Sequence, residues 1–283
     1  MEAYGPHNAR SMSTTADGPD VSGLWDAHTH LQDEAFEGRV GEVLQRAAAA
    51  GVGCVVVAGA RPSDWDRVAA LAREHAMVRP AYGVHPLYVA ELSPGWEADL
   101  TARLEADPRA SVGEIGLDRA VAPRDDALQE RVFRTQLAIA RRLGRPATIH
   151  CRRAWDTLTA ALEAAGPFPA GLVFHSYGGG ADMVGRLSRL GGWFSFSGTL
   201  TWPAHRRGPM AARAAPADRL LVETDSPDLP PFVDGRPWPG PNEPANLPRV
   251  VAALAAVRGG APAEWGRITA ANAASCFGGM GAR

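Results

Sequence analysis

Short apolar runs alternate with amphipathic segments along almost the whole chain, and this alternation restricts the possible folds more than any other feature. The segments between the runs carry apolar residues at helical spacing, and several end in a glycine that can cap a helix. Apolar strands separated by helices are typical of parallel strands that are buried on both faces. In chain order, the eight runs are LWDAHTH, VGCVVVAGA, VRPAYGVHP, ASVGEIGLD, RPATIHCR, GLVFHSYGG, GGWFSFSG and DRLLVETDSP.

Eight strand and helix units in a chain of 283 residues favour a closed barrel over an open sheet. They predict the α/β class and a single (β/α)8 TIM barrel, a fold that typically needs about 250 residues. Extra C-terminal helices are predicted over about 246–258 and 263–277. Residues 1–22 are rich in Gly, Pro, Ser and Asp and are predicted to form a disordered tail, which leaves 23–279 for the barrel domain.

Composition excludes several kinds of chemistry and partner. The formal net charge is −2, so no long basic track is available to bind many phosphates. The chain has no lysine, which rules out a Schiff-base mechanism and a carboxylated lysine between two metals. The three cysteines are far apart and form neither a zinc-ribbon nor a disulfide pattern. No apolar run approaches the about 18 residues of a membrane span. We therefore expect a cytoplasmic protein with no membrane partner. The composition does not fix the oligomeric state, for which a monomer is our expectation.

Polar residues interrupt the apolar runs near their C-terminal ends. In a parallel barrel all these ends open on one face, so residues that are distant in sequence are expected to meet in one pocket. A single polar residue in a strand is more often a hydrogen-bonded core residue than a ligand. Many buried ionisable groups without partners would be costly, however, and a pair of metal ions accounts for them together. The residues are Asp26, His28, His30, His85, Glu114, His150, His175 and Asp225.

The first run contains two histidines, His28 and His30, two positions apart on one strand. Both side chains therefore point to the same side of the strand and can bind one ion. Imidazole nitrogen together with carboxylate oxygen, and without thiolate, suits zinc, manganese or magnesium. Cys151 directly follows His150, so strand alternation turns it away from the pocket, and we interpret it as a packing residue.

Seven sequence blocks, taken together, resemble one known family. In this order and spacing, DAHTH, GVHP, GEIGLD, IHCR, FHSYGG, ETDSP and NEPANLP resemble the signature blocks of TatD-type deoxyribonucleases, over roughly Leu24 to Phe277. The resemblance implies a centre of two divalent metal ions. The resemblance implies that His28, His30 and Asp225 bind one ion and that His150 and His175 bind the other. It also implies that Glu114 bridges the two ions.

The resemblance also implies an activity, the hydrolysis of DNA phosphodiester bonds, often from the 3′ end of a single strand. Two ions about 3.5 to 4 Å apart would clamp a phosphate and lower the pKa of a shared water towards 7. Asp225 is expected to accept a proton from that water, so Asp225 and Glu114 are the candidate catalytic residues. Glu223 can be explained by an ion pair with an arginine, and Thr224 is expected to point away from the pocket.

Two further residues are candidates for substrate binding. His85, in GVHP, resembles a family position near the substrate phosphate. There it would either contact the phosphate directly or donate a hydrogen bond to a group that does. Arg152 lies two positions after His150, and its planar guanidinium matches phosphate oxygens, although a surface arginine at a helix start is the alternative. The chain departs from the family pattern at Arg119, where an aromatic residue is usual, and at Pro241, where a basic residue is frequent.

Two other functions fit the same residues. A related barrel hydrolase could use the same metals on an ester or amide bond, in a small molecule or an aminoacylated RNA end, because a fold does not select the bond. A non-catalytic metal-binding subunit of a larger assembly would be favoured if ligands were missing, and none is. Assays with single-stranded DNA, RNA and carboxyl esters separate these hypotheses.

Overall fold

Eight strands form the centre of the computed structural model, which describes residues 23–278. They are β1 (Leu24–Thr29), β2 (Val52–Ala58), β3 (Val78–Tyr82), β4 (Ser111–Asp118), β5 (Ala147–Arg152), β6 (Leu172–Phe174), β7 (Gly192–Phe196) and β8 (Leu220–Val222). Consecutive strands pair in parallel, so the order in the sheet is the order in the chain. The predicted fold class is confirmed.

The sheet closes into a barrel through hydrogen bonds between β1 and the residues that follow β8. The backbone N–H of His30 donates to the carbonyl of Ser226 at 2.7 Å, and the N–H of Asp225 donates to the carbonyl of His28 at 3.0 Å. Thr29 and Ser226 also form a parallel bridge. Closure therefore fixes the backbone at three of the predicted metal ligands.

Within residues 23–278, nine α-helices accompany the strands, and seven of them connect consecutive strands. They are α1 (Val40–Ala49), α2 (Pro62–Glu74), α3 (Trp96–Ala106), α4 (Asp126–Leu143), α5 (Trp155–Ala165), α6 (Val184–Arg189), α7 (Arg207–Ala214), α8 (Leu247–Arg258) and α9 (Pro262–Gly278). The last two are the predicted C-terminal helices. In α4, Asp125 caps the first turn by accepting the N–H of Leu128 at 2.9 Å, and Gly144 ends the helix at φ 62°.

Strands and helices share one extended apolar core, which explains why the runs in the sequence are so apolar. Val55 and Val57 of β2 belong to the same buried cluster as Val68 of α2, and every residue of β4 is buried. A second, smaller cluster joins strand residues such as Leu221 to Phe277 of α9. Because both faces of the sheet are covered, polar side chains are accommodated mainly at the strand ends.

The loop after β8 contains a short hairpin that the sequence analysis does not predict. Its strands are β9 (Phe232–Val233) and β10 (Arg236–Pro237), which pair antiparallel. Asp234 and Gly235 form the turn with φ of 51° and 76°, positive values typical of a two-residue hairpin turn. The Pro- and Gly-rich composition of this stretch hides the hairpin from a search for apolar periodicity.

Three expectations concern the ends of the chain and its surroundings. The predicted tail over residues 1–22, like residue 279, lies outside the described residues, so the domain boundaries stay a prediction. The cysteines Cys54, Cys151 and Cys276 are free. No helix in the described part of the chain is both long enough and apolar enough to cross a bilayer.

Candidate metal centre

The six predicted metal ligands come together around one pocket at the C-terminal ends of their strands. His28, Glu114 and His150 lie within β1, β4 and β5, whereas His30, His175 and Asp225 lie one to three residues past β1, β6 and β8. Their side chains are largely buried, with that of His30 the most exposed at 17%. The parallel barrel thus brings together residues that are far apart in the sequence.

The two histidines of the first strand point to the same side of it, as their spacing predicts. Their Nε2 atoms lie 3.1 Å apart. Nδ1 of His30 faces the carbonyl of Ala58 at 2.8 Å and donates to it when it carries the proton, which leaves the lone pair of Nε2 directed into the pocket. Gln32 donates to the same carbonyl at 2.7 Å. The backbone of β2 therefore orients the ring of His30.

A second histidine pair lies across the pocket, where His150 Nδ1 and His175 Nε2 are 3.3 Å apart. The outer nitrogen of each ring faces a buried carboxylate. Nε2 of His150 is 3.0 Å from Asp118 Oδ2, and Nδ1 of His175 is 3.6 Å from Glu223 Oε1. Strands β4 and β5 approach closely here because residue 116 is a glycine: a Cβ on Gly116 would lie 1.9 Å from the carbonyl oxygen of His150.

Glu114 lies between the two histidine pairs, and each of its oxygens faces one pair. Oε1 is 2.7 Å from His175 Nε2 and 2.8 Å from His150 Nδ1. Oε2 is 3.4 Å from His28 Nε2 and 3.3 Å from His30 Nε2. A carboxylate with this arrangement contacts both histidine pairs at once.

Asp225 approaches the His28 and His30 pair from the end of β8. Its Oδ1 is 3.5 Å from His28 Nε2 and 3.7 Å from His30 Nε2. The backbone at Asp225 has φ 58°, a left-handed conformation that aspartate tolerates better than most residues. The backbone hydrogen bond to β1 and a second one, from the N–H of Asp228 to the carbonyl of Asp225 at 2.8 Å, hold this conformation. Such conformations cluster at functional sites.

The charge of Glu114 shifts the pKa values of neighbouring histidines, and the charges of those histidines shift the pKa of Glu114. Burial alone would raise the pKa of Glu114, but the imidazoles of His175 and His85 lower it well below its usual value. Burial would lower the pKa of His30, but the hydrogen bond to Glu114 and its charge raise it to about 9. Burial would also lower the pKa of His175, but the charge of Glu114 raises it well above its usual value.

Burial decides the direction for three other groups. It raises the pKa of Asp225 to about 7, against the positive charges of His175 and His30. It lowers the pKa of His28 to about 4 and that of His85 to about 3. His28 and His85 are therefore neutral near pH 7, and Asp225 titrates in the range in which a proton acceptor works best.

His85 lies three residues past β3 and is arranged as a hydrogen-bond donor towards the pocket. Its Nδ1 accepts the backbone N–H of Leu87 at 3.2 Å, so in the neutral ring Nε2 carries the proton. Nε2 is 3.6 Å from Glu114 Oε1. The proton-bearing nitrogen is thus the one that faces the site, as a contact to an anionic substrate requires.

Two arginines lie at the C-terminal ends of β4 and β5. The side chain of Arg152 is 58% exposed, and its Nη1 lies 3.7 Å from Asp118 Oδ2. Arg119 directly follows β4, and its Nε lies 3.4 Å from Asp126 Oδ2. Arg152 therefore brings a positive charge near Asp118, which contacts His150, although the net charge of the chain is −2.

The donor atoms of the pocket fit divalent cations. Ring nitrogens 3.1 and 3.3 Å apart repel when both point lone pairs at each other, unless a proton or a metal ion lies between them. Nitrogen and oxygen donors without thiolate suit zinc, manganese and magnesium. In the described part of the chain, three sets have ligand atoms within 4.8 Å of one another: His28 with His30 and Asp225, His28 with Glu114 and His175, and His85 with Glu114 and His150.

Two expectations about neighbouring residues are wrong. Asp26 does not join the pocket, because its carboxylate accepts the backbone N–H of Thr224 at 2.8 Å and the hydroxyl of Thr224 at 2.5 Å, which ties β1 to the end of β8. Glu223 forms no ion pair with an arginine among residues 23–278. It is fully buried, and it accepts the N–H of Ser176 at 2.5 Å beside the ring of His175.

Asp118, like Gln32, contacts a predicted metal ligand although the sequence analysis gives it no role. It is fully buried at the end of β4 and contacts His150 on the side away from the pocket. A signal is present in the sequence, since Asp118 lies four positions after Glu114 and an even spacing keeps two side chains on the same side of a strand.

Comparison with known proteins gives matches along nearly the whole barrel. A family model described as TatD related DNase matches residues 25–278. The crystal structure of YjjV, a TatD homolog from Escherichia coli, has a TM-score of 0.85 and 30% sequence identity, and the match covers 91% of this chain and 99% of that one.

Two relatives illustrate the names found among similar sequences. The chain is 33% identical over 236 residues to the uncharacterized metal-dependent hydrolase YjjV of Escherichia coli. The match covers 82% of this chain and 89% of that protein. It is also 32% identical over 265 residues to a protein of Erwinia tasmaniensis named 3′-5′ ssDNA/RNA exonuclease TatD. That match covers 90% of this chain and 99% of the relative.

Proposed function

The chain belongs to the family of TatD related DNases, whose model matches residues 25–278, and we propose that it cleaves DNA phosphodiester bonds with two divalent metal ions. As a member of this family it is a metal-dependent hydrolase. The proposal adds the bond that is cleaved, the number of ions and the residues that hold them.

The position of Glu114 is the observation that carries the proposal. Its two oxygens face different histidine pairs, His28 with His30 and His150 with His175, at 2.7 to 3.4 Å. We assign one ion to His28, His30 and Asp225, the other to His150 and His175, and the bridge to Glu114. Zinc, manganese and magnesium all suit this donor set.

Two such ions would clamp a phosphate and lower the pKa of a water molecule towards 7. In the proposal Asp225 accepts the proton of that water, a role supported by its position beside the His28 and His30 pair and by a pKa that burial raises to about 7. His85 donates its Nε2–H to a phosphate oxygen, and Arg152 offers the fork of its guanidinium to another.

The name of one relative and the charge of the chain support a substrate class. The Erwinia tasmaniensis relative is named a 3′-5′ exonuclease of single-stranded DNA and RNA. We propose the 3′ end of single-stranded DNA as the substrate here. With a net charge of −2 the chain is suited to contact a few phosphates at a strand end rather than a long duplex.

A degradation assay tests this function. The protein is stripped with a chelator, supplied with Mg²⁺, Mn²⁺ or Zn²⁺, and offered DNA oligonucleotides labelled at the 5′ or the 3′ end, RNA of the same sequence, and carboxyl esters. We expect single-stranded DNA to shorten from the 3′ end only when metal is present. A Glu114→Gln preparation excludes contaminating nucleases. Metal-dependent hydrolysis of esters alone would overturn the proposal in favour of an ester hydrolase.

The affinity for metal is expected to rise with pH up to about 9. In the metal-free protein the pKa of His30 is about 9, so below that pH an ion must displace its proton. For each unit by which the pH is lowered, the apparent affinity should then fall about tenfold for each displaced proton. His175 adds a second proton because its pKa is also raised. Titration with Mn²⁺ against a competing chelator measures this slope. An affinity that is constant between about pH 7 and about pH 9 would contradict the protonated histidines.

A further inference from the structure

Asp118 is a buried carboxylate whose two oxygens have different partners. Oδ1 accepts the backbone N–H of Ala120 at 2.6 Å, and Oδ2 lies 3.0 Å from Nε2 of His150. Nη1 of Arg152 lies farther from Oδ2, at 3.7 Å. The backbone N–H of Asp118 itself donates to Gln129 Oε1 at 3.0 Å. The orientation of the carboxylate is therefore fixed from both sides.

His150 differs from the other three predicted histidine ligands in the atom that it presents to the pocket. His28, His30 and His175 direct Nε2 towards Glu114, whereas His150 directs Nδ1. A neutral imidazole has one N–H and one lone pair. His150 can bind an ion through Nδ1 only when its proton is on Nε2, the nitrogen that faces Asp118.

We propose that Asp118 is a positioning residue that selects the tautomer of His150. This inference rests on the proposed metal centre. An ionised carboxylate can only accept hydrogen bonds, so Asp118 accepts the Nε2–H of His150 and leaves the lone pair of Nδ1 directed into the pocket. Carboxylates behind histidine ligands also fix the ring orientation and raise the basicity of the coordinating nitrogen.

Replacement of Asp118 by Asn separates this role from simple packing, because the two side chains have nearly the same shape. In Asp118→Asn the amide oxygen is retained by the N–H of Ala120, so the NH2 group faces Nε2 of His150. A donor at that position requires a lone pair on Nε2 and moves the proton of the neutral ring to Nδ1, where it blocks the metal. In a serine protease the equivalent Asp→Asn change acts through the wrong tautomer in the same way.

The experiment compares Asp118→Asn with Asp118→Ala by Mn²⁺ titration and by thermal melting of the metal-free proteins. We expect Asp118→Asn to bind Mn²⁺ about 10- to 100-fold more weakly than the wild type, and at least as weakly as Asp118→Ala. Its melting temperature should nevertheless be closer to that of the wild type than the melting temperature of Asp118→Ala. If Asp118→Ala does not fold, Asp118→Ser replaces it.

Asp107→Asn is the matched control. Asp107 lies before β4 and, like Asp118, accepts the backbone N–H two residues later, that of Arg109, at 2.8 Å, but it is not part of the pocket. This control should bind Mn²⁺ as the wild type does. A Mn²⁺ affinity of Asp118→Asn that equals the wild-type value, or lies between the values for the wild type and Asp118→Ala, would overturn the inference. Since binding is measured without DNA, a failure of the nuclease assignment leaves this test unaffected.

Discussion

Replacement of Glu114 by Gln is expected to remove metal from the pocket and to abolish hydrolysis while the protein still folds. Glu114 faces both histidine pairs, so without its charge two dications about 4 Å apart repel each other with less negative charge between them. Loss of an outer partner of a ligand already costs about 10- to 100-fold in affinity, so losing the bridge should cost at least about 100-fold for both ions. The value of kcat/KM should fall at least about 1,000-fold, or about 4 kcal/mol.

Metal content by mass spectrometry and the rate of DNA degradation measure the two effects. Glu42→Gln is the control, because Glu42 lies on α1 with a side chain that is 70% exposed and the chemical change is the same. It should retain both the metal and the activity. Two ions per chain in a folded Glu114→Gln protein would remove Glu114 from the role of bridge.

Replacement of Asp225 by Asn is expected to separate catalysis from metal binding. The amide oxygen can still coordinate weakly, so this variant should retain more metal than Glu114→Gln. It loses the carboxylate that we propose as the acceptor of the water proton, so kcat should fall well below about a tenth of the wild-type value. Rates measured at saturating metal distinguish the loss of the base from the loss of the ion.

Asp228→Asn is the matched control for that variant. Asp228 lies three residues further along the same loop with an exposed side chain, and it undergoes the same change in charge and shape. Its rate should remain close to that of the wild type. If Asp225→Asn keeps more than about a tenth of the wild-type rate, Asp225 contributes less than about 1.4 kcal/mol to the transition state. In that case the proton acceptor is another group.

The barrel and the grouping of the site residues could be predicted from the sequence because both follow from periodicity. An apolar run that ends in a polar residue indicates a buried strand whose C-terminal end is exposed to a pocket. For His28 and His30 the spacing of two positions also predicts the common direction of the rings, which the 3.1 Å contact between their Nε2 atoms confirms. Such statements need only the chain itself and the rule that parallel strand ends share one face.

Roles that depend on partners across the barrel could not be predicted in the same way. Asp26 looks like a site residue in the sequence, yet Thr224 at the far end of the chain satisfies its carboxylate. Glu223 is tied to the backbone of Ser176, which no spacing rule connects to it. The contact of Asp118 with His150 depends on the close approach of β4 and β5 that Gly116 allows.

The choice of nitrogen on each imidazole is also invisible in the sequence. His85 and His150 both interrupt an apolar run. The backbone N–H of Leu87 donates to Nδ1 of His85, whereas the carboxylate of Asp118 faces Nε2 of His150. One ring therefore offers a donor to the pocket and the other offers a lone pair. This difference supports a substrate contact for His85 and metal ligation for His150.

Anomalous diffraction from crystals grown with Zn²⁺ tests the central claim most directly. The proposed centre predicts two zinc peaks in the pocket, one beside the His28 and His30 pair and one beside His150 and His175. Each should lie about 2.0 to 2.2 Å from a different oxygen of Glu114. A single peak, or two peaks of which neither contacts Glu114, would contradict a dinuclear centre bridged by that carboxylate.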